Sequence, residues 1–508
     1  QTLQSMRNRG MDGVGIAKTM CFPDHPDQYA YRILVKGVLQ KDIEATLRRQ
    51  WKKSGKSYTT DELRQEARAQ TISIRTDLMK KITSVFLDPY FIVSDVGIIR
   101  ESYKPDQNNN ERDYRDFGGE DTDPGDIFRC YVRVKPDQLE NYIQSELLLY
   151  KWSRFLQQLF PKITKENYQS NKQFMTKAED LCVFNHSLKL SRILYVSSIH
   201  QKELERFAGR PLSDNKYDAE TFLSDNFDKH LTVLRDFIEQ HPYEHHRHRY
   251  TNRQQKIAAV MSCGKNFGLW KTAGREIPWQ TPDAPNNIIH VRLATGSVVE
   301  QMNSHPFGKL HTALTHNGET TNYEALKQRV EQFDLSPLAS TDTEVASLKF
   351  HLTAEEWEYP DWALFESFSP TTGEDLQLVD PNIRHQLEQV QRVEFASSPD
   401  GPYQYLCLRH NPQNNTTERV DLKDPADLRP NITAFWYDEK NDQKRAFSII
   451  ASEEHAVHTM LKLLDKEGII DGAMPDKTHV SIGMISRYRF DEQNNVTDFV
   501  YLDRYGRK

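Results

Sequence analysis

The segment 288–350 concentrates residues whose types and order suit the handling of a free α-amino acid. A β-branched run carrying Arg292 breaks at Ala294-Thr295-Gly296-Ser297, where glycine lets backbone approach a ligand closely. A second run, 310–315, breaks at His316-Asn317-Gly318, and Thr321-Asn322-Tyr323-Glu324 then reads as a capping box opening a helix. Thr341-Asp342-Thr343-Glu344 repeats the capping pattern. Three polar loops therefore offer one guanidinium, one amide beside a glycine N–H, and one carboxylate. An α-carboxylate is matched by a guanidinium fork, an α-ammonium by a buried carboxylate, and an amide under attack by preorganised donors for its oxyanion. The Asn317 side chain and the Gly318 N–H would supply those donors. Each piece also has an ordinary structural reading: Asn-Gly is a common tight-turn pair, Thr341 to Glu344 caps a helix, and Arg292 pairs with a surface acid. The ordered set is the more specific signal.

Strands have to carry such loops, and the second half of the chain supplies them. IAAVMSCG (257–264), NFGLWKTAG (266–274), IIHVRLATG (288–296), LHTALT (310–315), AFSIIAS (446–452), HVSIGMISRYRF (479–490) and VTDFVYLDRYG (496–506) are β-branched or aromatic runs bounded by Gly, Pro, Asn or Asp. With helices between them they predict layered sheets under helical cover, an α+β architecture. In 1–45, Leu3 and Met6 begin an apolar face, the glycines of RGMDGVG (9–15) break it, and 29–38 alternates as a strand. Residues 46–250 are charge-rich and predict mostly helix, interrupted by a turn-rich loop over 104–126. Their strongest helical stretches are 139–160 and the stripe Phe227, Leu231, Leu234, Phe237 and Ile238. The expected organisation is 1–45, 46–250 and 251–508.

Composition narrows the function classes. The chain has 508 residues, 37% hydrophobic and 27% charged, room for two or three domains. A net charge of −7 gives no overall phosphate-tracking surface, so nucleic acid is not an expected partner. No run approaches the roughly 18 apolar residues of a membrane-spanning helix. Cys21, Cys130, Cys182, Cys263 and Cys407 are odd in number, widely spread and without a CxxC pair, and no secretory signal is seen, which fits a reducing cytoplasm. The Asn-x-Ser/Thr sequons imply nothing without a secretory route. His241, His245, His246 and His248 are interleaved with Arg247 and Arg249, whose charge repels a cation, so no metal site is expected. No P-loop and no GxGxxG after a strand occurs, and no cofactor is expected.

RGMDGVGIA (9–17), SCGKNFGLWKTAG (262–274), HVRLATGS (290–297), SHPFG (304–308), THNGETTNYEAL (315–326) and STDTEVASL (340–348), in that order, resemble the class II glutamine amidotransferases. These are N-terminal-nucleophile hydrolases with an αββα sandwich. GKNFGLWKTAG, with PDQYAYRILVKG (26–37), looks most like the stand-alone glutamate-synthase-type amidotransferase subunits. The resemblance covers about 1–45 and 255–350, and more loosely GPYQYLCLR (401–409) and AFSIIASEEHAV (446–457), which leaves 46–250 as a large, mostly helical insertion. It implies that Arg292 holds the glutamine α-carboxylate, Asp342 the α-ammonium, and Asn317 with Gly318 the oxyanion. Thr295 would contact substrate, and Arg9 would support the site. The family nucleophile is a cysteine at the mature N-terminus, expected here upstream of Gln1. The implied activity is glutaminase chemistry that releases ammonia to an acceptor on a partner chain. That partner is a glutamate-synthase-like subunit, with or without its own flavin, in a hetero-oligomer. The alternative is an inactive amidotransferase-like scaffold or binding subunit, docking through 46–250.

Overall fold

The computed structural model describes residues 12–25, 28–35, 40–83, 91–103, 125–134 and, with short breaks that include 294–298 and 471–477, 258–504. The expected helices at 139–160 and 227–238 and the histidine-rich run 241–248 lie outside the described residues. In chain order the elements are β1 (Gly13–Thr19), β2 (Tyr29–Val35), α1 (Gln40–Lys53), α2 (Thr60–Ile82), β3 (Phe91–Arg100), β4 (Asp126–Val134), β5 (Ala258–Lys265), β6 (Phe267–Thr272), β7 (Asn286–Arg292), β8 (Phe307–Lys309) and β9 (Thr312–Gly318). They continue with α3 (Tyr323–Glu331), α4 (Asp342–His351), α5 (Asp361–Phe368), α6 (Pro381–Glu394), β10 (Tyr403–Asn411), β11 (Thr416–Lys423), β12 (Asn431–Lys440), β13 (Gln443–Ala451), α7 (Glu454–Lys466), β14 (Thr478–Ser481), β15 (Met484–Phe490) and β16 (Val496–Asp503). The chain divides into two compact units, one drawn mainly from 1–26 and 265–508, the other from 27–114 and 122–264.

The second of these units holds a four-stranded sheet, β3-β4-β2-β5, with α1 and α2. On α1, Ile43, Leu47 and Trp51 fall four residues apart and pack against Leu63 and Ala67 of α2. Thr59 starts α2 through a full capping box with Glu62. The four-residue spacing on α2 carries on to the buried Thr71, Arg75 and Met79, so the face that enters the core includes a cation. Arg75 meets Asp126, which also takes Arg68 and Arg100 at 2.8–3.2 Å. Burial would raise the Asp126 carboxyl, but the three guanidiniums outweigh it and hold the carboxyl below its usual range. The span 46–250, expected to be mostly helical, thus also contributes two strands, β3 and β4.

The other unit is built on a six-stranded sheet ordered β16-β15-β11-β10-β9-β8, antiparallel throughout. A three-stranded sheet, β6-β1-β7, runs with β7 close to β9 and β10, and a third sheet, β13-β12-β14, carries α7. Leu314, Tyr403, Tyr405, Cys407, Val420, Leu422 and Ile485 on one face of the six-stranded sheet meet Ala346 and Phe350 of α4 and Leu364, Phe365 and Phe368 of α5. Burying each large apolar side chain there contributes about 1.5–3 kcal/mol. A buried ion pair adds a second anchor for α4, with Lys349 Nζ 2.7 Å from Glu394 of α6. The glycines expected to break the chain at 9–15 instead lie partly inside β1. A Cβ on Gly13 would fall 2.2 Å from Ser304 Oγ, and one on Gly15 would fall 2.0 Å from the His305 carbonyl oxygen. They are glycines because the loop before β8 lies directly on the strand.

Candidate functional site

β9 ends at the site. Its alternation sends His316 to the helix-covered face, where the ring lies 4.6 Å from that of Tyr405, and leaves Asn317 and Gly318 half-buried at the tip. Gly318 has φ +131°, and a Cβ there would sit 1.9 Å from the Pro402 carbonyl oxygen. Only glycine satisfies both the dihedral and the close approach of β10.

Asp342 is the first residue of α4. The N-cap before it, Thr341, accepts from the Glu344 N–H at 3.3 Å, as the capping pattern predicts. The Glu344 carboxylate departs from that pattern, accepting from Ala339 N at 2.5 Å. The Asp342 carboxylate accepts from Thr320 N at 2.9 Å and faces His316 Nδ1 at 3.5 Å. Burial would raise its pKa, but the His316 hydrogen bond and charge, with the Thr320 and Thr343 backbone N–H groups, lower it below the usual range. With 28% of its side chain exposed, the carboxylate keeps lone pairs for a further cation. At α3 the capping expectation fails. Asn322 occupies the N-cap position without bonding the helix, and its side chain instead donates to Ser398 O at 2.7 Å and accepts from Asp400 N at 3.0 Å. It ties the loop after Gly318 to the loop before β10.

β7 brings the third group. His290 Nε2 lies 3.0 Å from the His316 carbonyl oxygen, and Arg292, two residues on and buried, ends the strand opposite Gly13. The His305 ring lies 4.2 Å from that of His290, tilted by 33°, and reaches Thr343 Oγ1 at 3.0 Å. Burial pushes His290 down to about 4, with the charges of His316 and Arg292 assisting. Burial likewise pushes His305 well below its ordinary value, and Arg292 again contributes. The Arg292 charge therefore bears on the same histidine cluster that flanks Asp342. Among the described residues no group of three or more His, Cys, Asp or Glu is arranged to hold a metal ion, and no helix is long and apolar enough to cross a membrane.

No family model matches the chain. Curated relatives match in part. The likeness is to glutamine-fructose-6-phosphate aminotransferase (isomerizing). The protein of that name from Campylobacter jejuni is 32% identical over 87 residues, 17% of this chain and 14% of its own length. Its namesake from Haemophilus ducreyi is 41% identical over 71 residues, 14% of this chain and 11% of its own. An uncharacterized protein of Archaeoglobus fulgidus is 25% identical over 222 residues, 42% of this chain and 55% of its own. The chain thus spans about half the length of the archaeal relative and a small part of the other two. A solved structure of glutamine phosphoribosylpyrophosphate amidotransferase from B. subtilis, complexed with ADP and GMP, aligns over 47% of this chain and 40% of its own, at 19% identity and TM-score 0.24.

Of the residues singled out from sequence, Asn317, Gly318 and Asp342 converge on the β9 tip, and Arg292 stands beside the histidines that adjoin it. Thr295 and Arg9 lie outside the described residues. The histidines and Thr343 were in plain view in HVR, SHP, THNG and TDT, yet nothing in their local spacing says that they meet. His305 and Thr343 are 38 residues apart in the chain.

Proposed function

We propose that the unit containing this site binds L-glutamine and serves glutamine amide transfer. One observation carries the reading: Thr320 N–H fastens the Asp342 carboxylate beside the loop that begins at Asn317-Gly318. An ammonium on Asp342 then lies near donors suited to an oxyanion. In this reading Arg292 takes the α-carboxylate, Thr295 adds a substrate contact and Arg9 supports the site. Asn317 and Gly318 stabilise the tetrahedral oxyanion formed when a cysteine thiolate attacks the side-chain amide carbon. Collapse of that intermediate expels ammonia and leaves a thioester, which water hydrolyses to glutamate. The ammonia passes to an acceptor on a partner chain, a glutamate-synthase-like subunit. The αββα sandwich of N-terminal-nucleophile hydrolases is the architecture proposed for this unit. The partial similarity to glutamine-fructose-6-phosphate aminotransferases supports the reading.

Calorimetric titration of L-glutamine into the full chain, with glutamate release followed in parallel, tests it. Asp342→Ala and Arg292→Met should each weaken binding by about a hundredfold, the scale of truncating one partner of a buried charge pair. Unchanged binding in Asp342→Ala would remove the site assignment. A second reading is a glutamine-binding subunit without hydrolysis; Cys21, Cys130 and Cys407 are buried, and burial drives the Cys407 thiol well above its ordinary pKa, so none of these three is set up as the attacking thiolate. Glutamine binding without glutamate release, with the partner present, would select it.

A further inference from the structure

Behind Asp342 lies a buried polar network whose donors and acceptors all run one way. The His316 backbone N–H points at His305 Nδ1, 3.5 Å away, so Nδ1 is the acceptor and the His305 proton sits on Nε2. That Nε2–H faces Thr343 Oγ1 at 3.0 Å, and Thr343 Oγ1 in turn donates its hydroxyl proton to Asp342 Oδ1, 3.3 Å away. His316 Nδ1 faces Asp342 Oδ2 at 3.5 Å and Thr343 Oγ1 at 3.4 Å. A lone pair there would oppose the carboxylate, so Nδ1 carries hydrogen. His290 Nε2 donates to the His316 carbonyl and holds that residue from behind. Tyr405 closes the far side, its hydroxyl 2.6 Å from Thr320 Oγ1 while the Thr320 N–H reaches Asp342. Thr343 is 1% exposed and His305 7%, so water does not compete for the bond between them.

We propose that Thr343 and His305 are positioning residues that form a directional relay, His305 Nε2–H to Thr343 O–H to Asp342, and that this relay holds the carboxylate aimed for an α-ammonium. The proposal rests on the glutamine-site reading for its ligand, not for its hydrogen-bond directions. Neither residue touches substrate. Each acts through Asp342, and burial keeps His305 neutral at neutral pH, which leaves its Nδ1 able to accept from the His316 N–H.

The test compares L-glutamine with 4-carbamoylbutanoate, the same molecule without its α-amino group, on the full chain. Thr343→Val, which keeps the side-chain shape and removes the hydroxyl, should weaken L-glutamine by about 10- to 100-fold, the scale of a hydrogen bond to a charged group. It should leave the deaminated analogue unchanged, and Thr343→Ser should restore glutamine binding. Equal weakening of both ligands, or of neither, overturns the positioning role, because a general disturbance of the pocket does not distinguish them. Ring-nitrogen NMR on histidine-labelled protein reads the relay without ligand. It should show the His305 proton on Nε2, with the His305 Nε2 and His316 Nδ1 signals moving in Thr343→Val. A His305 proton on Nδ1, or a His316 protonated on Nε2 only, overturns the relay. If neither ligand binds the wild type, the glutamine reading falls and the NMR result alone decides the relay.

Discussion

Replacing Gly318 by Ala should cost more than any conservative surface change, and the structure says why. The new Cβ would lie 1.9 Å from Pro402 O, 2.9 Å from Pro402 C and 3.0 Å from Tyr403 Cα. All three are backbone atoms, so no rotamer change relieves the clash, and the tips of β9 and β10 have to part by more than about 1 Å to reach ordinary contact. Holding φ +131° with a side chain costs about 1–3 kcal/mol. Parting the strands weakens the bonds just beyond the pair, Glu319 N to Pro402 O at 3.2 Å and Thr321 N to Asp400 O at 2.8 Å, at about 1 kcal/mol each. The total is of order 3–5 kcal/mol. Gly373→Ala is the internal comparison, since a Cβ there meets nothing within 4 Å and should change stability by no more than about 0.5 kcal/mol. Urea unfolding of both variants, followed by far-UV circular dichroism and tryptophan fluorescence and compared at equal m-value, measures the difference. A Gly318→Ala midpoint within about 1 kcal/mol of Gly373→Ala would refute the close-approach reasoning.

Three further outcomes follow from buried charges. Asp126→Asn should destabilise by about 3–5 kcal/mol in chemical unfolding, because Arg75 is left with 0% exposure beside a neutral partner. Because the Asp126 carboxyl is lowered from 3.8, its contribution is fully present above that value and is lost as pH falls through the depressed one. Asp126→Asn should therefore flatten the acid limb of the stability profile. Lys349→Met should cost a similar amount, since Glu394 has 1% exposure, and Lys349→Met with Glu394→Gln should recover part of it in a double-mutant cycle. His290 is only partly buried as a residue, but its Nδ1 has no solvent contact and no hydrogen-bond partner. With its folded value near 4 against 6.5 when unfolded, acidification across that window favours the unfolded chain. His290→Gln should remove up to about 3 kcal/mol of that loss, read from midpoints at pH 7 and pH 4.

Much of the strand framework was legible. The runs at 266–274, 288–296, 310–315 and 496–506 correspond to β6, β7, β9 and β16, with ends shifted by a few residues, because β-branched alternation and flanking turn residues are local properties. HVSIGMISRYRF is not one strand but two, β14 and β15, divided at Gly483, whose φ is +95°. Gly483 permits that break locally, and where the two halves pair makes it necessary. β14 joins β12, whereas β15 joins β11 and β16. The strands β3 and β4 inside 46–250 were missed because a charge-rich composition masks them. Their charges, Arg100 and Asp126, face each other across a buried ion cluster.

At the candidate site the same division holds. Sequence by itself determined which chemical groups are offered and in what order: the guanidinium of Arg292, the Asn317-Gly318 pair and the Asp342 carboxylate one residue past a capping threonine. These sit at element ends, where turn and cap chemistry is written in neighbouring residues. Tertiary structure alone decided what stands behind them. Pairing of β9 with β10 makes Gly318 irreplaceable, the loop before β8 pressing on β1 makes Gly13 and Gly15 necessary, and packing of α4 against β9 brings Thr343 to His305 and His316. Buried hydrogen bonds depend on angstrom-scale separations between residues tens of positions apart, a quantity that no residue carries in its own type.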